Sequence, residues 1–236
     1  MKTVSITGFA LVAAWLAGAA PSLAVSPYSE DFTTSNANWV NYNSSGFLVH
    51  SSVGGPDGGA YVSGTMSFLD RAIGATPVVL RGRDDFDASG DAFVGDWATD
   101  GIRRVSAQVR HNAPQPLDFF FRGSGLANFP GGFYGYVTVQ PNTWTPIEFD
   151  VSPSSPQLVS YEGSDWGTVF SGVHNVLFGV VVPDGLVTVD TAYAFDLDQV
   201  SIHAPEPASI VSAVLAVGAV AVWPRRGFSR SSRVQG

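Results

Sequence analysis

The chain has 236 residues, of which 20 are acidic and 12 basic, and it contains no cysteine. Disulfides and thiolate metal sites are therefore excluded, and stability must come from burial. Residues 25–204 hold 19 acidic residues, seven arginines and no lysine, a formal charge of −12. A strongly acidic stretch without basic patches argues against nucleic acid and anionic lipid as partners.

The first 24 residues have the pattern of a secretory signal peptide. Lys2 precedes a mostly apolar stretch, and Ser22 and Ala24 are small residues at the positions that signal peptidase reads. The apolar stretch is shorter than the ~20 residues that a membrane span needs. The sequence therefore predicts cleavage after Ala24, and the alternative is a first membrane anchor.

Residues 25–204 show the alternation of short β-strands. Val105, Ala107 and Val109 alternate with polar residues in the clearest run, 104–110. Similar runs cover residues 46–51, 60–67, 117–121, 132–139, 147–151, 176–182 and 193–203. Gly, Pro, Asn and Asp separate the runs, and no 12-residue window carries a helical stripe. One all-β domain, a sandwich or barrel with an aromatic-rich core, is predicted.

An acidic loop in this domain has the ligand spacing of a calcium loop. The candidate ligands around Gly90 are Asp85, Asp87, Ser89, the carbonyl of Asp91, and Asp96. Oxygen ligands at positions one, three, five, seven and twelve, with glycine at six, can wrap around calcium. The alternative is a solvated loop whose acids pair with nearby arginines.

Aromatic residues are the candidates for carbohydrate binding, because a ring can stack on the C–H groups of a sugar. Trp97 and Trp166 lie in polar loop contexts, and Tyr134 and Tyr136 share one predicted strand face, opposite Phe133. The alternative is that these rings fill the core. Trp39 and Trp144 are assigned to the core or its rim.

Near the end of the domain, strand alternation places Asp198 on the same face as Val200 and Ile202. If those apolar residues point inward, Asp198 is buried and needs N–H donors, an arginine or a metal. The alternative is a β-bulge that turns Asp198 to solvent.

Catalytic motifs find little support in the sequence. His50, His111, His174 and His203 lie in separate elements, and there is no Gly-x-Ser-x-Gly turn. We therefore predict that the protein is not an enzyme. Because paired carboxylates suffice for glycosidases, a polysaccharide-active enzyme remains a third hypothesis.

The C-terminal 32 residues have three parts: Pro205-Glu206-Pro207, an apolar run over 208–223, and a basic end with Arg225, Arg226, Arg230 and Arg233. This order resembles the PEP-CTERM sorting signal of exported bacterial proteins. The resemblance implies that residues 205–236 are a sorting signal recognised by an exosortase, that its apolar run 208–223 is a transient transmembrane helix, and that the mature protein reaches the cell surface or matrix. The alternative is a permanent C-terminal anchor.

Three further segments, 30–32, 144–151 and 195–202, together resemble jelly-roll domains of the carbohydrate-binding type. The resemblance implies a β-sandwich and a structural calcium ion held by Asp31 and Asp198.

The functional hypothesis is an exported surface or matrix protein with a structural or adhesive role. Its alternative is a carbohydrate-binding module on exopolysaccharide. The expected partners are exosortase, the export machinery, exopolysaccharide and, transiently, the membrane. Nucleic acid is not an expected partner.

Overall fold

A computed structural model describes residues 25–204, so the predicted signal peptide and sorting segment lie outside the described residues. Two antiparallel sheets of six strands each form the domain. The strands are β1 (Tyr28–Glu30), β2 (Val40–Asn41), β3 (Val49–Ser51), β4 (Tyr61–Ser67), β5 (Val78–Arg83), β6 (Arg104–His111), β7 (Leu117–Ser124), β8 (Gly131–Val139), β9 (Thr145–Asp150), β10 (Leu158–Ser160), β11 (Asn175–Val180) and β12 (Ala192–His203).

The strand order is that of a jelly roll. Sheet 1 has the order β3-β4-β12-β6-β9, with β1 also paired to β12, and sheet 2 has the order β10-β8-β7-β11-β5-β2. The chain crosses between sheets at β1–β2, β2–β3, β4–β5, β5–β6, β6–β7, β8–β9, β9–β10 and β11–β12. Four strands of sheet 1, in the order β4-β12-β6-β9, correspond one by one to the strands β5-β11-β7-β8 of sheet 2, which is the jelly-roll arrangement. The predicted all-β sandwich is confirmed.

Aromatic side chains join the two sheets. The ring of Phe121 on β7 lies 5.9 Å from that of Phe149 on β9, and 5.8 Å from that of Phe178 on β11. Trp97 stacks on Phe121 at 6.4 Å, and Trp39 is fully buried beside Phe178, as predicted for a core residue. Because the core contains no covalent cross-link, these contacts carry the inter-sheet stability.

The eight runs identified in the sequence correspond to β3, β4, β6, β7, β8, β9, β11 and β12. The sequence missed β1, β2, β5 and β10. The longest of these, β5, has inward positions that include Gly82. A Cβ at Gly82 would lie 2.6 Å from the Trp39 indole, so a distant tryptophan supplies the apolar group that β5 lacks. The pattern of a buried strand is therefore absent from the local sequence.

One short helix, α1 (Trp166–Phe170), was also missed. Asp165 caps it, because the carboxylate accepts a 2.9 Å hydrogen bond from the backbone N–H of Thr168. Within residues 25–204, no helix is long and apolar enough to cross a bilayer.

Close packing at Gly179 gives a stability prediction. A Cβ there would lie 2.1 Å from Phe120 Cζ and 2.5 Å from the carbonyl oxygen of Pro77. We expect Gly179→Ala to lower the free energy of unfolding by about 1–3 kcal/mol, measured by chemical denaturation. Gly172→Ala, whose Cβ meets nothing within 4 Å, is the matched control. Equal stability of the two variants would contradict this packing.

Candidate functional site

Two of the four predicted carbohydrate-binding aromatics lie in the core. Trp97 is fully buried, and its indole N–H donates to the carbonyl of Phe93 at 2.8 Å. Tyr134 is also fully buried, and burial raises its pKa. Neither ring can reach a ligand at the surface, so the placement of Trp97 and Tyr134 in a binding site is wrong.

A β-bulge in β8 explains the error for Tyr134. Phe121 pairs with Tyr134, and Phe119 pairs with Val137, so Gly135 and Tyr136 together oppose the single residue Phe120. The extra residue reverses the alternation, which places Tyr134 inside and Tyr136 outside. Tyr136 is 49% exposed and lies beside Phe133, with the two ring centroids 5.9 Å apart.

The other predicted aromatic, Trp166, is half-buried in α1. Its ring stacks on Phe170 at 5.6 Å, and the guanidinium of Arg103 lies 4.7 Å from its centroid. Its N–H donates to the carbonyl of Val151. With ring and N–H both engaged, Trp166 holds α1 against the sandwich.

The outer face of sheet 2 brings together groups that the sequence did not connect. Leu177 pairs with Arg122 on one side and with Arg81 on the other, and Asn175 pairs with Arg83. Their chain neighbours Val176 and Phe178 belong to the core, so these side chains point outward. Phe133, the register partner of Arg122, lies on the same face. We call the outward residues Arg81, Arg83, Arg122, Phe133 and Tyr136 the arginine–aromatic face.

Two of these three arginines have carboxylate partners. Glu162 accepts hydrogen bonds of 2.7 and 2.6 Å from Arg122, a bidentate pair, and Asp85 pairs with Arg83. The side chain of Arg81 forms no hydrogen bond or ion pair with any residue of 25–204, and its Nε is buried without a partner, as is the Nε of Arg83. Burial lowers the pKa of Arg81, and the charges of Arg83 and Arg122 lower it further. Arg81 is thus an uncompensated cation in the middle of a sheet face.

Sheet 1 carries a separate aromatic cluster. Arg110 lies 4.6 Å from the ring centroid of Trp144 and 5.1 Å from that of Tyr61, and its Nε donates to Asp196 at 2.7 Å. Trp144 is half-buried, as predicted for the rim, and its N–H donates to the carbonyl of Gly54. Both rings are in contact with the guanidinium of Arg110, and the hydrogen bond from Trp144 to Gly54 anchors the 54–59 loop.

A second bulge corrects the prediction for Asp198. Gln199 and Val200 on β12 together oppose Ala107 on β6, and Gln199 has a φ of 50°. Asp198 therefore lies on the face opposite Val200 and Ile202. The prediction that these three residues share one face is wrong. Asp198 is nevertheless only 2% exposed, because the 54–59 loop covers it: a Cβ at Gly55 would lie 3.2 Å from its Oδ2. The bulge does not turn the carboxyl to solvent.

The surroundings of Asp198 are acidic. Its Oδ1 accepts the backbone N–H of Gln199 at 2.8 Å. Burial raises the pKa of Asp198 to about 6, and Asp57, Asp31 and Glu30 add to the effect. The structure thus brings Asp31 near Asp198, but Asp31 is exposed and accepts hydrogen bonds from Thr33. Calcium at this pair stays a prediction.

The acidic loop does not fold as a calcium loop. Asp85 pairs with Arg83, Ser89 Oγ accepts the indole N–H of Trp39, and Asp96 accepts both the N–H and the hydroxyl of Thr99. Asp87 and Asp91 lie near each other, beside Asp84. Two short 3₁₀ turns, Asp84–Phe86 and Ala88–Asp91, replace a wrapped loop. Among residues 25–204, no group of three or more His, Asp or Glu side chains is placed to hold a metal ion.

A cavity of about 780 Å³ lies between this loop and the start of the domain. Segments 25–28, 90–96 and 171–174 contribute its lining. His174 lines it, and its Nδ1 lies 2.6 Å from Asp84 Oδ2. Partial burial raises the pKa of Asp91, and Asp84 and Asp87 raise it further. Two of the charged side chains that line the cavity thus have partners outside its lining, since His174 contacts Asp84 and Asp96 accepts hydrogen bonds from Thr99.

The remaining histidines hold structural hydrogen bonds. His50 Nε2 lies 2.8 Å from the carbonyl of Phe32, and His111 Nε2 lies 3.0 Å from that of Val139. His203 Nε2 lies 2.9 Å from Ser106 Oγ, a pair that the sequence did not suggest. Among residues 25–204, no carboxylate hydrogen-bonds to His203, so the third member of a hydrolase triad is missing there.

No family model matches the chain, and no curated protein sequence matches it. Similar solved structures include the CBM22-1–GH10 modules of endo-1,4-β-D-xylanase 10B from Clostridium thermocellum, complexed with xylohexaose, at 14% identity and a TM-score of 0.47. That match covers 76% of this chain and only 28% of the xylanase chain.

Two further similar structures are isolated modules from Clostridium thermocellum. The C-terminal family 22 carbohydrate-binding module of the same xylanase has 12% identity and a TM-score of 0.45, over 78% of this chain and 97% of the module. The family 11 module of cellulase Lic26A-Cel5E has 12% identity and a TM-score of 0.42, over 77% and 96%. At these identities and TM-scores, the similarity transfers neither a ligand nor a function.

The raised pKa of Asp198 gives a pH prediction. Its folded pKa of about 6 exceeds the ordinary 3.8, so the folded state gains stability as the pH falls from 6 towards 4. In EDTA at pH 7.5, we expect Asp198→Asn to be more stable than the wild type by about 2–3 kcal/mol. This difference should vanish near pH 4, while the exposed control Asp190→Asn stays within about 0.5 kcal/mol throughout. A difference independent of pH would contradict the buried carboxylate.

The prediction that Asp198 and Asp31 bind calcium is tested on the wild type and on Asp198→Asn. If Asp198 and Asp31 hold calcium, adding Ca²⁺ should raise the Tm of the wild type at pH 7.5, EDTA should reverse it, and Asp198→Asn should not respond. An unchanged wild-type melting curve would rule calcium out.

Proposed function

We propose that residues 25–204 bind polysaccharide, without catalysis, through the arginine–aromatic face of sheet 2. The observation that carries this proposal is Arg81, a cation without a partner among residues 25–204, on the same sheet face as the exposed ring of Tyr136. This favours the carbohydrate-binding alternative over a purely structural role. Binding to matrix polysaccharide would itself give the protein an adhesive role.

Tyr136 has the support that a sugar-stacking ring needs. Its neighbour Phe133 packs on buried Phe120 with 4.5 Å between ring centroids, so the aromatic strip rests on the sheet. A ring fixed in advance loses little conformational freedom when a ligand binds. Its exposed half can lie against the C–H groups of a sugar ring.

Arg81 points to the class of polysaccharide. Glu162 and Asp85 neutralise the neighbouring arginines, so Arg81 is the arginine of this face whose charge is uncompensated. A guanidinium recognises planar oxyanions through two parallel hydrogen bonds, and a buried donor without a partner costs about 1–3 kcal/mol. We therefore propose a polysaccharide with carboxylate or sulfate groups.

The domain's overall charge opposes such a ligand only weakly. At physiological salt, exposed charges more than about 8 Å apart are largely screened. One acidic residue, Asp118, also points outward from sheet 2, because its neighbours Leu117 and Phe119 belong to the core, and its carboxylate accepts a hydrogen bond from the hydroxyl of Thr138. The acidic residues on the rest of the domain act mainly at long range, whereas Arg81 acts at contact distance. Short-range recognition decides the outcome.

The proposed function also includes a location at the cell surface or in the matrix. Residues 1–24 direct export, and Pro205-Glu206-Pro207 with the segment that follows directs exosortase sorting to the cell surface or matrix. These segments lie outside the described residues.

Binding is tested by affinity measurements with alginate, a sulfated galactan and a neutral β-glucan. Arg81→Gln should weaken binding to the two anionic polymers by about 10–100-fold, since 1.4 kcal/mol corresponds to a factor of ten. Tyr136→Ala should weaken every interaction by about 10-fold.

Arg104→Gln, on the exposed outer face of sheet 1, is the charge control, and Trp144→Ala is the aromatic control. Loss of binding in Trp144→Ala with full binding in Tyr136→Ala would move the site to sheet 1. Absence of binding by the wild-type protein to all three polymers would overturn the function.

Sorting is tested by replacing the motif in the producing cell. Glu206→Ala should leave the protein membrane-associated and uncleaved at its C-terminus, as seen by fractionation and intact mass. An unchanged distribution would favour a permanent anchor.

A further inference from the structure

Val25, the residue that follows the predicted cleavage site, is held at two points. The side chain of Val25 is 6% exposed and belongs to the hydrophobic core. Its backbone nitrogen lies 2.6 Å from Asp100 Oδ2, across 75 positions in the chain. Such a contact at the start of a domain is unusual, because terminal residues are commonly loose.

Asp100 is presented by a well-braced turn. Asp96 accepts hydrogen bonds from the N–H and the hydroxyl of Thr99, at 2.9 and 2.8 Å. The N–H of Asp100 donates to the carbonyl of Asp96 at 3.0 Å. These hydrogen bonds brace the turn from which the Asp100 carboxylate reaches Val25.

We propose that cleavage between Ala24 and Val25 creates an α-ammonium group that forms an ion pair with Asp100, so that export itself strengthens the fold. Signal peptidase adds water to the peptide bond, which leaves a carboxylate on Ala24 and a protonated amine on Val25. An amide N–H offers Asp100 one neutral donor. The ammonium offers three donors and a full charge, and charge-assisted hydrogen bonds are about twice as strong as neutral ones.

The ion pair would fix the entry of the chain into sheet 1. β1 follows three residues later and pairs with only three residues of β12. Residues 25–28 also form one wall of the 780 Å³ cavity. Anchoring Val25 therefore holds β1 and the cavity wall together, whether or not the arginine–aromatic face binds polysaccharide.

The composition of the chain provides a selective test. Lys2 is the only lysine, and it leaves with the signal peptide, so the mature protein has a single primary amine. The full chain is exported, purified in detergent and measured by intact mass. Acetic anhydride, followed by hydroxylamine to reverse tyrosine esters, then converts this amine to an uncharged amide.

We expect an N-terminus at Val25, incorporation of one acetyl group, and a fall in Tm of about 2–4 °C. In Asp100→Asn, the same acetylation should shift Tm by less than about 1 °C, because the partner charge is gone. The exposed control Asp190→Asn should show the full wild-type shift. A mature N-terminus at another residue, or equal shifts in the wild type and Asp100→Asn, would overturn the proposal.

Discussion

The closure of two sheets over a cysteine-free aromatic core is the constraint on which the rest of the domain depends. Phe121 contacts aromatic rings from both sheets, and Trp39 fills the space beside Gly82 that β5 leaves empty. Because the inner faces are committed to this packing, any recognition must use the outer faces, the loops or the sandwich edge. Trp97 and Tyr134 are needed inside for the same reason.

Two β-bulges determine which side chains remain for the outer faces. The bulge at Gly135 and Tyr136 sends Tyr134 inward and leaves Tyr136 beside Phe133. The bulge at Gln199 moves Asp198 away from the core face, where a covering loop still buries it. Each bulge inserts one residue, and one residue is enough to exchange the two faces of every position that follows.

Charge compensation then distinguishes the arginines from one another. Arg122 is neutralised by Glu162 and Arg110 by Asp196, and both side chains are thereby fixed as parts of the structure. Arg81 has no such partner among the described residues and keeps a buried, unpaired Nε. A native fold rarely leaves a buried donor unused, and Arg81 differs from Arg83, whose Nε is also unpaired, in having no carboxylate partner among residues 25–204 either.

The sequence by itself determined the class of fold, because period-two alternation is a local property that eight strands display. It also determined that stability depends on burial, because cysteine is absent. Only the tertiary structure decided which side chains reach the outer faces of the sheets. Strand alternation placed Tyr134 and Asp198 on the wrong faces because bulges depend on the partner strand. Arg81 carried no local signal, because being unpaired depends on where Glu162 and Asp85 lie in space.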